Sequence, residues 1–258
     1  MILVNENGLP YYRFESLARW PELAHGVFTR SGGVGLQGLN LAFGAHDLEE
    51  NVRQNLDRAA KAVGLSHLAF VGQAHGDRAL VVRAQDRYRP ERPADMLRGY
   101  DTLITPDPNV GLLVKLGDCQ GVILYDPVTR VLAVVHCGWR GNVANVLART
   151  VERLAADFGV NPADLVAAIS PSLGPCCAEF VNYARELPPS FVSYRLGENH
   201  FDLWAVSRDQ LVRAGLRPEN IEIAGLCTVC HETFYSFRRD RSENRFGLAA
   251  GRLEEGAL

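Results

Sequence analysis

The stretch VGLLVKLGDCQGVILYDPVTRVLAVV, residues 110–135, decides the fold. It holds three short runs rich in Val, Leu and Ile, at 110–116, 121–124 and 131–135, separated by Gly, Asp and Pro. Runs of this length and composition are typical of buried β-strands. Comparable runs predict further strands at 26–29, 68–71, 79–82, 102–104, 165–169 and 221–226.

Helical spacing of apolar residues appears in three other segments, Asp47 to Val63, Asn142 to Phe158 and Phe201 to Ala214. Strands outnumber helices, and consecutive strands precede the main helix at 142–158. This order favours a mixed-sheet α/β sandwich over regular β-α-β alternation. No stretch reads as a linker, so we expect one catalytic domain over residues 1–258, with its site at strand ends.

Composition excludes several classes of protein. The chain is 47% hydrophobic and 22% charged with a formal net charge of −3, which does not favour nucleic acid or an anionic membrane as a partner. We see no signal peptide and no apolar segment long enough to span a bilayer, so a cytoplasmic location is expected. In such a chain the six cysteines are expected to be reduced thiols or metal ligands.

Three candidate metal ligands share one local context. His75, Cys119 and His136 each follow an apolar run and precede Gly or a polar turn. Two imidazoles and a thiolate suit zinc, and three protein ligands leave a fourth position open, as in catalytic zinc sites. Asp118, directly before the thiol, is a candidate orienting group or proton shuttle. Taken singly, a His or Cys after a strand is more often a packed core residue, so spacing alone leaves both interpretations open.

Two arginines are candidate phosphate ligands. Arg140 follows His136 by four residues, where the predicted helix at 142–158 begins, and helix amides beside a guanidinium form a phosphate cradle. The alternative is a surface Arg lying over Trp139. Arg30, beside the Gly-rich loop Ser31 to Gly38, is a similar candidate for phosphate or substrate.

The remaining cysteines and histidines carry weaker signals. Cys227 to His231 matches the C-x-x-C-H pattern of c-type haem attachment, but without an export signal we expect no haem. Cys176 and Cys177 are adjacent and lack the spacing of the second C-x-x-C that a zinc ribbon needs. Four histidines without partners in the sequence are expected at the surface, namely His25, His46, His67 and His200.

A set of short phrases, occurring in a fixed order, links the chain to a known family. They are Gly26–Val34, Gln73–Gly76, Asp101–Thr105, Gly117–Cys119, Leu124–Pro127, His136–Gly141, Gly174–Cys176, Cys227–Thr228 and Phe234–Asp240. Together they resemble the bacterial family named multicopper polyphenol oxidase or laccase-like, and also peptidoglycan editing factor and purine nucleoside phosphorylase. The resemblance runs from about Gly26 to Arg245. The chain departs from the family pattern at Leu56, Cys177 and Asn244.

The resemblance implies a single α/β domain that binds zinc through His75, Cys119 and His136, with Cu²⁺ as an alternative occupant. It also implies phosphorolysis of adenosine, inosine and methylthioadenosine, together with deamination of adenosine. The partners are then a small-molecule nucleoside and phosphate, and the protein is a monomer or homodimer. Asn40 and Gln73 are carried over as candidate substrate contacts.

These observations lead to one favoured function and two alternatives. The favoured function is a zinc-dependent purine nucleoside phosphorylase with adenosine deaminase activity, in which Asp118, Cys119 and Arg140 are the catalytic candidates. A hydrolase that edits cell-wall precursors is the first alternative, because an open zinc site suits amide hydrolysis. A copper-dependent polyphenol oxidase is less favoured, because multicopper sites need paired histidines and the 7 His of this chain are not paired.

Overall fold

The computed structural model describes residues 1–44, 47–86 and 88–254. Within these residues the strands form two six-stranded sheets and one small hairpin. In spatial order the first sheet comprises β1 (Ile2–Glu6), β2 (Leu9–Arg13), β3 (Leu23–Phe28), β14 (Phe246–Arg252), β7 (Gly111–Leu116) and β4 (Leu68–Ala69). The second comprises β13 (Ile221–Ile223), β10 (Val166–Ile169), β8 (Gln120–Tyr125), β9 (Leu132–Cys137), β6 (Thr102–Thr105) and β5 (Ala79–Val81).

The remaining elements are the hairpin and the helices. The hairpin pairs β11 (Arg195–Leu196) with β12 (His200–Phe201). The helices are α1 (Glu49–Ala62), α2 (Trp139–Val143), α3 (Val146–Phe158), α4 (Tyr183–Glu186), α5 (Leu203–Arg213) and α6 (Phe237–Asp240). None of the helices in the described residues has the length and apolar character needed to cross a bilayer.

Both sheets are mixed. The pairs β4–β7, β5–β6 and β10–β13 are parallel, whereas the central pairs β7–β14 and β8–β9 are antiparallel. The predicted mixed-sheet α/β fold is therefore confirmed.

Alternating residues of the central strands enter different cores. In β7, Val114 packs into the core between the two sheets, whereas Leu113 packs toward α1. In β8, Ile123 enters the same inter-sheet core and Val122 packs toward α3. The layers therefore run helix, sheet, sheet, helix. Because the central strands are buried on both faces, they appear in the sequence as almost entirely apolar runs.

The structure differs from the sequence-based prediction at the main helix. The predicted helix at 142–158 is two helices, because α2 ends at Val143 and α3 begins at Val146. Between them Asn145 has φ 58° and ψ 41°, a left-handed conformation that interrupts the helix. Asn tolerates this conformation better than most residues, which is why the chain can turn here.

Five strands were missed, and two were predicted too long by at least two residues. The strand predicted at 68–71 covers only Leu68–Ala69, and the late strand predicted at 221–226 covers only Ile221–Ile223. The strands that were not predicted are β1, β2, β14 and the two hairpin strands β11 and β12. β14 has the sequence FGLAAGR, which lacks the β-branched residues that mark a strand. It is a strand because it pairs with β3 on one side and with β7 on the other.

The surface position expected for His25 is wrong, because its side chain is buried in β3. Its Nε2 accepts a hydrogen bond of 3.0 Å from the Phe14 amide, and its Nδ1 lies 3.1 Å from the Leu23 carbonyl oxygen. A histidine whose two ring nitrogens both have partners can be buried in its neutral form. His67 and His200 are partly exposed, and His46 lies outside the described residues.

Candidate active site

The three predicted metal ligands converge at one position. One ligand atom each from His75, Cys119 and His136 lies within 4.8 Å of the others. The sequence indicated that all three residues directly follow a strand, but in the structure their positions relative to the strands differ. His136 is inside β9, Cys119 is in the turn between β7 and β8, and His75 is in the loop after β4. The pairing of β8 with β9 brings Cys119 beside His136, and the loop brings His75 to them.

Gly138 permits this convergence. A β-carbon at this position would lie 2.7 Å from Cys119 Sγ and 3.4 Å from His75 Cδ2. Any side chain here would push the thiol away from the two imidazoles. Gly138, one of two glycines in the phrase His136–Gly141, thus has a steric role that the sequence did not reveal.

Asp101 orients two of the three ligands, and sequence reasoning assigned it no role. Its Oδ1 accepts hydrogen bonds of 2.8 Å from His136 Nδ1 and from the His75 amide. Its Oδ2 accepts one of 2.8 Å from the Gly76 amide. Burial alone would raise the pKa of Asp101, but these donors hold it below its usual value. The one signal in the sequence was its place at the start of the phrase Asp101–Thr105.

The electrostatics of the three ligands suit a cation. Burial raises the pKa of Cys119, but His136 and His75 more than offset it and lower that pKa to about 6. Burial lowers the pKa of His136, whereas the Cys119 thiolate and Asp101 raise it to about 9. The thiol is therefore ionised at neutral pH. Because His136 donates its Nδ1 proton to Asp101, a metal ion would bind at Nε2 in place of the proton that this nitrogen shares with the Cys119 thiolate, which gives the usual arrangement of carboxylate, histidine and metal. These residues fit a zinc-type ion.

The three ligands line a pocket of about 960 Å³. The wall carries aromatic faces from Trp139 and Phe180, whose ring centroids are 6.1 Å apart in an edge-to-face arrangement. Three other predicted site residues, Gln73, Asp118 and Arg140, also line it. The pocket is large enough for a small-molecule substrate and opens directly over the candidate metal position.

Gln73 and Asp118 both hold backbone in place. The Gln73 side chain donates to the Lys115 carbonyl oxygen at 2.9 Å and accepts from the Lys115 amide at 2.8 Å. The Asp118 carboxylate accepts from Thr228 Oγ1 and from the Arg238 amide, both at 2.7 Å. Asp118 has φ 93°, so these contacts also fix an uncommon backbone conformation directly before Cys119.

The arginine and asparagine candidates lie in different places. Arg140 is exposed in the pocket wall, with its guanidinium 4.6 Å from the centre of the Trp139 ring. The helix that carries it is only the five-residue α2. Arg30 lies in a separate cleft, with its guanidinium 5.5 Å from the centre of the Tyr235 ring. Asn40 is buried, and its Oδ1 accepts from the amides of Ala42 and Arg245. Neither Arg30 nor Asn40 lines the pocket above the metal ligands.

Lys115 is a pocket residue that the sequence analysis missed. Its Nζ lies 5.0 Å from the centre of the Phe70 ring. Burial, followed by the nearby charges of Arg245 and Arg98, lowers its pKa to about 8. It is the one charged residue in the run GLLVKL of β7, and a charge that interrupts an apolar strand was the available signal.

Fold and site together define an α/β protein with three candidate metal ligands at the floor of a pocket. Residues 24–253 match the family described as multi-copper polyphenol oxidoreductase laccase, and the chain belongs to that family. A purine nucleoside phosphorylase of Bacteroides thetaiotaomicron is 30% identical over 95% of this chain and 94% of its own length. The purine nucleoside phosphorylase YlmD of Bacillus subtilis is 31% identical over 86% and 85%.

A solved structure supports the same relationship. The crystal structure of YlmD from Geobacillus stearothermophilus superposes with a TM-score of 0.86 at 26% identity. The superposition covers 98% of this chain and 99% of that one. The two proteins therefore share their fold over nearly all of both chains.

Proposed function

We propose that this chain is a cytoplasmic zinc-dependent purine nucleoside phosphorylase that accepts adenosine, inosine and methylthioadenosine, and that it also deaminates adenosine. The names of its relatives support the phosphorylase activity. The observation that carries the proposal is the set of three ligands at the floor of a pocket of about 960 Å³ with cationic and aromatic walls. A nucleoside and a phosphate need this combination of apolar faces and positive charge.

In phosphorolysis, a phosphate oxygen bonds to the anomeric carbon of the ribose while the bond from that carbon to the purine nitrogen breaks. Arg140 and Lys115 would hold the phosphate, since both present positive charge to the pocket. The partly buried ring of Trp139 and the ring of Phe180, which both line the pocket, would hold the purine.

His75, Cys119 and His136 would hold the zinc, which when bound supplies Lewis-acid chemistry at the pocket floor. The role that the contacts favour for Asp118 is to fix the turn that carries Cys119, because both of its oxygens already accept hydrogen bonds.

The test compares Arg140→Ala with a matched arginine outside the pocket. Loss of a charge-assisted hydrogen bond costs about 1.5–3 kcal/mol, so Arg140→Ala is expected to slow phosphorolysis on the order of ten- to a hundredfold. Deamination uses no phosphate and should fall much less. Cys119→Ala removes a metal ligand and should weaken both reactions. Arg78 lies 4.5 Å over the Tyr100 ring in a different cleft, so Arg78→Ala should leave both unchanged.

The measurement is chromatography of the purines after incubation with adenosine, inosine or methylthioadenosine, with and without phosphate. If the zinc-loaded protein releases no purine base from any of them, the proposed activity is wrong. If Arg140→Ala slows deamination as much as phosphorolysis, the activity stands but Arg140 does not hold the phosphate.

A further inference from the structure

Four cysteines that are far apart in the sequence form a second cluster of thiols. Two of them follow β10 and two follow β13, and the set, called here the four-cysteine cluster, comprises Cys176, Cys177, Cys227 and Cys230. The sulfur of Cys230 lies 3.6 Å from those of both Cys176 and Cys177. All four sulfurs lie within 4.8 Å of one another. Cys176 and Cys177, which lack the spacing of a zinc ribbon in the sequence, thus lie beside the C-x-x-C pair Cys227 and Cys230 in the folded chain.

The spacing of the sulfurs matches one tetrahedral metal ion. With Zn–S bonds of about 2.3 Å, the sulfurs of a tetrahedral site are about 3.8 Å apart. The observed 3.6 Å is close to this value. A disulfide would instead bring two sulfurs to about 2.05 Å, and all six cysteines are free thiols in the structure. Four thiolates and no open position describe a structural zinc site.

The surrounding backbone is arranged for this cluster. The Gly174 amide donates to Cys227 Sγ at 3.3 Å, an interaction that stabilises a thiolate ligand. A β-carbon at Gly174 would lie 2.9 Å from the Cys227 β-carbon and 2.8 Å from the Trp204 ring. Only glycine therefore allows the first loop to come this close to the second.

We propose that the four-cysteine cluster binds one zinc ion, separate from the metal at the pocket floor, and that this ion joins the two loops. This site does not depend on the proposed nucleoside chemistry, and its test does not use activity.

The ion would also fix one wall of the pocket. Thr228, between two of the cysteines, is the residue whose hydroxyl donates to Asp118. Arg238 Nη1 donates to the carbonyl oxygens of Cys177 and Glu179, at 3.1 and 2.9 Å. Through these contacts the cluster supports both the turn before Cys119 and the segment that carries Phe180 into the pocket.

The experiment is zinc quantification by elemental analysis on protein purified under reducing conditions. The wild-type chain should contain two zinc ions. Cys230 is one of the two exposed cysteines of the cluster, so the Cys230→Ser variant is expected to fold and should contain one zinc ion. Cys119→Ala should also contain one, and the double variant none. Cys137 is buried and belongs to neither group of ligands, so Cys137→Ala is the matched control and should retain two.

Native mass spectrometry of the unmodified chain keeps the proposal testable even where a variant fails to fold. A mass equal to the chain plus two zinc ions supports it. One zinc in the wild-type chain, retained in Cys230→Ser and lost in Cys119→Ala, would overturn it. A disulfide within the cluster, or iron in place of zinc, would overturn it as well.

Discussion

Asp101 positions two of the candidate metal ligands and is not a ligand itself. It accepts hydrogen bonds from His136 Nδ1 and from the backbone amide of His75, so it sets the orientation of one imidazole and the loop of the other. Replacing such a carboxylate typically weakens metal binding by about 10- to 100-fold. We therefore expect Asp101→Asn to lower zinc affinity by this factor, because the neutral amide is a weaker acceptor for the imidazole proton.

Affinity should be measured by chelator competition on the Cys230→Ser chain, so that only the pocket-floor site is titrated. Asp126 is the matched control, since it is also buried and accepts backbone amide hydrogen bonds in a turn but contacts no ligand. Asp126→Asn should cost stability without changing zinc affinity. Equal losses of affinity in both variants would show that Asp101 acts only on folding.

His25 makes stability depend on pH. Burial is the main reason that its pKa is lowered to about 4, against 6.5 for an ordinary histidine. A pKa that is lower in the folded state means that the fold favours the neutral ring. The stability present above pH 6.5 is therefore lost as the pH falls from 6.5 toward 4, by on the order of 3 kcal/mol.

His25→Gln should remove this pH-dependent loss, since glutamine does not ionise. The free energy of unfolding is measured by urea titration at several pH values between 4 and 7, and the difference between the two proteins isolates His25. Identical pH slopes would contradict this assignment.

At the scale of elements, Asn145 separates α2 from α3. Its side chain makes no capping hydrogen bond, so its contribution is to adopt the left-handed conformation. That conformation costs most residues with a β-carbon about 1–2 kcal/mol. Asn145→Ala should therefore destabilise the protein by about 1 kcal/mol, whereas Asn145→Gly should change stability by only a few tenths. The free energy of unfolding of both variants is measured by denaturant titration. If alanine proves more stable than glycine, the helix is continuous, as the apolar spacing at 142–158 indicated.

The strands show how far the sequence determines the elements. The central strands β7, β8 and β9 were predictable, because both of their faces are buried and their sequences are almost entirely apolar. β14 was not, since its Ala and Gly residues form a strand only through its neighbours β3 and β7. The helical spacing of apolar residues at 142–158 likewise could not predict the left-handed conformation of Asn145, which divides the helix.

Some residues of the candidate site could also be predicted from the sequence, and others could not. His75, Cys119 and His136 were predictable, because each lies near an apolar strand and within a phrase of the family pattern. Asp101 was not, since its effect depends on a hydrogen bond to a residue 35 positions later. The contact between Cys176 and Cys230 spans 54 positions, and only the fold brings these residues together.

At the scale of the whole molecule, the two sheets pack closely beside the metal ligands. Gly121 in β8 pairs with His136 in β9. A β-carbon there would lie 2.8 Å from Leu248 Cδ2 and 2.9 Å from Leu116 Cδ1, both in the opposite sheet. Gly121 is thus a point where the distance between the sheets is set by the absence of a side chain.

Gly121→Ala should therefore destabilise the protein by about 1–3 kcal/mol through overpacking, and zinc affinity at the pocket floor should fall because His136 is its strand partner. Leu248→Val shortens the side chain it would meet, so the double variant should be more stable than the sum of the two single effects predicts. A favourable coupling of at least about 0.5 kcal/mol in this cycle, measured by urea titration, is the expected result. If the two single effects on the free energy of unfolding simply add, the side chains at positions 121 and 248 do not press on each other. The packing between the sheets at Gly121 would then not be what positions the metal ligands.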